Sequence, residues 1–71
     1  MAVLTFHQIT FVTPAWPVRL SAHTFWPERR ATWIVADRCL ADAIVLLNLQ
    51  GADVVSVLPY RLTRGELMPL G

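Results

Sequence analysis

Cys39, His7 and His23 are the side chains of this sequence whose types most readily carry chemistry. Cys39 falls at the start of a segment with helical periodicity, where free amides and the helix dipole lower a thiol pKa and create a nucleophile. Such a thiol needs a base within hydrogen-bond reach, and no local spacing brings either histidine to it. A free cysteine is otherwise a small buried hydrophobe. The same three residues would meet at a metal only across long separations, so no local chelate is encoded. Five carboxylates, Glu28, Asp37, Asp42, Asp53 and Glu66, include no local pair suited to general acid and base work. The three glycines, at 51, 65 and 71, follow the helical segment, whereas a phosphate-cradling loop would precede it. The expectation is a protein with no catalytic residue, no metal and no cofactor.

Aromatic rings and guanidinium groups form the other constellation. Trp16, Phe25, Trp26 and Trp33 are interleaved with Arg29 and Arg30, the mixture that single-strand binders use for base stacking and phosphate contact. Tryptophan and arginine are also the residues most enriched at protein contact hot spots. A net charge of +1 favours the second reading, because nucleic-acid binders and acidic DNA mimics both work by concentrating one sign of charge. All six cations are arginines, which suits interfaces and equally suits a GC-rich coding bias.

The elements that would position these residues are legible from pattern. Residues 3–13 are dense in β-branched and aromatic types and read as a first strand. Pro14 and Pro17 force a loop over 13–17. Residues 18–26 begin with the alternation of a half-buried strand, Val18, Leu20 and Ala22 against Arg19, Ser21 and His23, and are expected to form a hairpin with the first strand. Pro27 suits a turn over 27–30. The third strand, 31–36, has too little polarity on either face for water, which predicts a central position. Asp37 is placed to N-cap a helix over 38–50, and Gly51 to take the left-handed position after it. A fourth strand covers 53–58, ends at Pro59 and extends at most over 60–62; residues 63–71 read as a loosely packed tail.

The expected fold is α+β: one two-layer domain over 1–62, a four-stranded, mostly antiparallel mixed sheet with one covering helix in the order β-β-β-α-β. The strand-helix-strand unit, with a crossover of about 16 residues, is long enough for parallel pairing. It looks like a generic β-α-β element, which supports a statement about fold and none about function.

The helix is the most informative segment. Leu40, Ala43, Ile44 and Leu47 make the stripe that docks on a sheet, yet Val45, Leu46 and Leu49 cluster around Arg38 and Asp42 away from it. With 71 residues and 55% hydrophobic content there is one core and no second layer to cover that patch. One cysteine forms no internal disulfide, so outside help is expected to come from a partner chain. The contact residues expected are Arg38, Asp42, Val45, Leu46 and Leu49 on the helix, with Trp16, Trp26, Arg29 and Arg30 in the loops. A protein partner is expected, self or foreign, with a homodimer first; nucleic acid is the alternative. Residues 1–12 lack a signal-peptide pattern and no apolar run is long enough to span a bilayer, so a cytoplasmic protein without a membrane partner is expected. A motif-free chain of this size, read as complete from Met1 to Gly71, is expected of an accessory or inhibitory protein of a phage or mobile element.

Overall fold

The computed structural model describes residues 4–63 and 65–69. The chain folds as a small α+β domain with the expected four-stranded sheet and single helix. Its elements are β1 (Leu4–Val12), β2 (Val18–Leu20), β3 (His23–Phe25), β4 (Arg30–Ala36), a 3-10 turn (Asp37–Cys39), α1 (Leu40–Leu49), β5 (Asp53–Thr63) and β6 (Glu66–Pro69). The main sheet has the order β4-β1-β5-β6, and every neighbouring pair is antiparallel. The strand-helix-strand unit therefore does not pair with itself: β4 and β5 run in the same direction, but β1 lies between them and pairs with both.

Three other expectations change. The segment 18–26 does not pair with β1. It folds back on itself as the β2–β3 hairpin, with Leu20 opposite His23, and Ser21 accepts the positive φ of 57° that a two-residue loop requires. The third strand is not central; β4 pairs with β1 on one side only and forms an edge. Pro59 does not end the fourth strand. β5 continues to Thr63, because Pro59 lies beside His7 just outside the β6 ladder, which runs from Tyr60 to Thr63, so one side of β5 is open there. Of the expected loose tail, Glu66–Pro69 pairs with β5 while all four residues stay exposed; Arg64, Leu70 and Gly71 lie outside the described residues.

The core lies under one face of the sheet. Odd-numbered β1 residues point to that face, and Ile9 and Phe11 are fully buried there with Val35 of β4. Val18 and Leu20 of the hairpin and Ala43 and Leu47 of α1 close over them, with Leu40, Ile44, Trp33 and Val54 packed at the margin. The predicted docking stripe of the helix is the one the structure uses. Phe11 and Phe25 meet edge to face at 5.2 Å and 80°, which ties the hairpin to the sheet.

Thr13 is the buried polar residue that fixes the two proline loops. Its amide donates to the Arg29 carbonyl at 2.8 Å, and its hydroxyl donates to the Trp26 carbonyl at 2.7 Å while accepting from the Arg29 amide at 2.8 Å. Pro27 followed by Glu28 at a φ of 57° is the pattern of a type II turn, and Glu28 donates its amide to the Pro14 carbonyl.

The helix separates structural from exposed side chains within two positions, since Leu47 is fully buried and Leu49 is 79% exposed. Leu47→Ala is expected to lower stability by about 2 to 5 kcal/mol through the cavity it leaves. Leu49→Ala is expected to change it by less than about 0.5 kcal/mol. Urea unfolding of the two variants checks the orientation of α1, and equal losses would contradict it.

Candidate contact surface

The helix begins and ends differently from its sequence reading in ways that decide where side chains stand. Asp37 makes no capping hydrogen bond; it opens the 3-10 turn, and its Oδ1 lies 3.2 Å from Nδ1 of His7. That nitrogen is buried and makes no hydrogen bond, so the contact is one of proximity. At the other end Gly51 takes the expected left-handed conformation, φ +82°. The Ala52 amide donates to the Leu47 carbonyl at 3.0 Å and the Gly51 amide to the Asn48 carbonyl at 3.1 Å, the paired bonds of a Schellman motif.

Trp16 and Gln50 bolt this helix end to the loops. The Trp16 indole donates to the Gln50 carbonyl at 2.7 Å, and its ring lies so close to Gly51 that a Cβ there would be 2.8 Å from it. The Gln50 side chain accepts from the Arg19 amide and donates to the Arg19 carbonyl, both at 2.7 Å, as a strand neighbour would. Trp16, expected as a contact residue, is thus engaged within the fold although partly exposed. Trp33 is half-buried against the core, and Trp26 is 69% exposed. The structure disperses the aromatic-arginine segment: one ring caps, one packs, and Trp26 stands at the loop that carries Arg29 and Arg30, both exposed.

The helix residues expected to make contact come together. Arg38, Asp42, Val45, Leu46 and Leu49 are all exposed. Asp42 and Leu46 line an open groove of about 400 Å³ with Cys39 and Ala43, whose other wall is Trp33, Ile34, Val35 and Ala36 of β4. At about 100° per residue, Leu49 and Val45 continue from Leu46 around the helix away from its buried side. The apolar patch is therefore one flank of α1, and it is continuous with the free edge of β4.

The open sheet face was not foreseen as a surface. Even-numbered β1 residues point away from the helix, and the pairing sets them in rows: Thr32, Thr10 and Ser56; Ile34, Gln8 and Leu58; Ala36, Phe6, Tyr60 and Pro69; Leu4, Leu62 and Leu67. One end of this face is polar and the other apolar, and Leu4, Ile34, Leu58 and Leu67 are exposed on it. The sequence signal lies in the first strand, where both parities include large apolar residues, Leu4, Phe6 and Val12 on one and Ile9 and Phe11 on the other.

Among the described residues no hydrogen bond or ion pair joins the exposed Cys39 to a histidine, no group of three or more His, Cys, Asp or Glu could hold a metal, and no helix is long and apolar enough to cross a membrane. No family model, curated protein or solved structure matches the chain.

Trp16 and Trp26 should separate in their effect on stability. Trp16→Ala removes a hydrogen bond and the cover of the helix end and is expected to cost about 1 to 3 kcal/mol, against less than about 0.5 for Trp26→Ala. Gly51→Ala disturbs the same contact and strains a positive φ, so its cost should combine with that of Trp16→Ala less than additively. Urea unfolding of the three variants and the double mutant measures each quantity.

Proposed function

We propose that this protein is a non-enzymatic protein-contact module, acting by steric occupation of a partner surface through the flank of α1 and the adjoining edge of β4. The observation that carries the reading is the continuity of two unpartnered surfaces, the apolar helix flank at Leu46 and Leu49 and an apolar strand with one side unpaired. Contiguous apolar surface rimmed by polar groups marks interaction sites, and Arg38 and Asp42 supply the rim. Covering Leu49 recovers most of the roughly 1.5 to 3 kcal/mol that burial of such a side chain contributes. The dispersal of the three tryptophans supports the same reading over nucleic-acid binding, since Trp26 alone remains as a free stacking ring beside two arginines.

Tagged wild type and Leu49→Glu, both shown folded by circular dichroism, are compared in affinity capture from the native cell with mass spectrometry and a nuclease-treated control. A protein recovered with wild type and lost with Leu49→Glu is the expected result. Recovery that depends on nucleic acid, survives Leu49→Glu and falls with Arg29→Ala and Arg30→Ala together would overturn the reading and move the site to the Trp26 loop.

A further inference from the structure

The free edge of β4 has a definite hydrogen-bonding pattern. Because the Thr13 amide bonds the Arg29 carbonyl, the step where Thr13 faces Arg29 is a hydrogen-bonded one. Alternation along the antiparallel ladder then directs the backbone groups of Ala31, Trp33 and Val35 at β1 and those of Arg30, Thr32, Ile34 and Ala36 outward. Edge strands are normally shielded by charged side chains, lysine above all, by proline, a bulge, an inward charge or great shortness. β4 has seven residues, Arg-Ala-Thr-Trp-Ile-Val-Ala, paired with β1 without a register shift; its one charge, Arg30, stands at its first position, and the six residues after it carry none of these devices. Two open grooves, of about 400 and 380 Å³, both run along it at Trp33 and Ile34, one walled by α1 and one by His23 and Phe25 of the hairpin.

Resting on the contact-surface reading above, we propose that the occupant of this edge is a second copy of the chain, with the two β4 strands antiparallel across a two-fold axis perpendicular to the sheet. That axis keeps the two faces of the sheet, so only residues of the same parity can oppose one another. All seven residues overlap only when the axis passes through Trp33, the middle of the strand. Thr32 then exchanges both backbone bonds with Ile34 of the second copy, and Arg30 does so with Ala36. Arg29, exposed, comes to lie opposite Asp37, also exposed and of opposite charge. Centring on Ile34 instead would set Arg30 against Arg38, and centring on Thr32 would face Arg29 with Val35 and lose the opposite-charge pair. Overlap and charge select the same register. The two helices fall on one face of a continuous eight-stranded sheet, with the flanks that carry Asp42 and Leu46 turned toward the axis.

Cysteine pairing reads this register. In a Cys39→Ser background, Thr32→Cys protein mixed with Ile34→Cys protein places two Cα atoms about 5.5 Å apart, within disulfide range, whereas each variant with itself leaves them about 8 Å apart. Mild oxidation is expected to yield a covalent species of twice the 8.0 kDa chain mass in the mixture and in neither variant alone. Wild type is expected to sediment as a dimer. Thr32→Pro, which deletes an outward amide and leaves the β1 ladder intact, is expected to sediment as a folded monomer. A monomeric wild type, or cross-linking with no preference for the mixture, overturns self-pairing. If that monomer still loses a captured protein on Leu49→Glu, the contact-module reading stands and a foreign strand occupies the edge.

Discussion

Ile9 and Phe11 of β1 have no exposed surface, and the organisation of the molecule follows from covering them. β1 is paired on both sides, so its backbone is satisfied and only its two faces remain to be dealt with. A ten-residue helix and a short hairpin seal one face, using Leu47 and Ala43 from the helix and Val18 and Leu20 from the hairpin. Among the described residues nothing covers the other face, or the outer flank of the helix, or the edge at β4. Those three exposures are one consequence of a chain that supplies a single covering layer.

Beside its apolar packing, that layer is attached by polar contacts between residues distant in sequence. Gln50 meets Arg19 through both amide atoms, Trp16 reaches over the Schellman turn to the Gln50 carbonyl, and Thr13 gathers the loops that precede β2 and β4. These residues add to the apolar core contacts a set of ties between helix, hairpin and the loop before the edge strand. The arrangement matters for the contact surface, because the groove beside β4 has one wall on α1 and the other on the strand, and its width depends on where the helix end is pinned.

Local chemistry was legible in the sequence; long-range pairing was not. The helix, its buried stripe, the left-handed Gly51 and the exposed patch at Val45, Leu46 and Leu49 follow from periodicity and residue type, which act within a few positions. The hairpin inside residues 18–26 has no signature in the sequence because its turn residue is Ser21, and a positive φ on serine has no composition signal comparable to glycine. Pro59 has the residue type of a strand end, since the neighbour that decides whether its missing amide matters, β6, sits seven and more residues further on. Asp37 has the residue type of a cap, but it opens a 3-10 turn beside His7. The free edge of β4 and the mixed character of the open sheet face depend on strand order, which no local pattern specifies.

The misplacement of β4 is the informative one. Apolar residues on both faces of a strand are typical of the interior of a sheet, and among the described residues β4 has a neighbouring strand on one side only. Natural edges are guarded because an unguarded one recruits whatever strand it meets. Composition and topology disagree over β4 only if the chain is considered alone. They agree if the strand is central in a larger sheet, and then the residues that break the polar pattern of the helix flank, Leu46 and Leu49, answer to the same condition. One neighbour placed along this edge pairs the outward backbone groups of β4 and brings a second chain beside the helix flank at Leu46, while the open face of the sheet keeps its exposed Ile34 and Leu58.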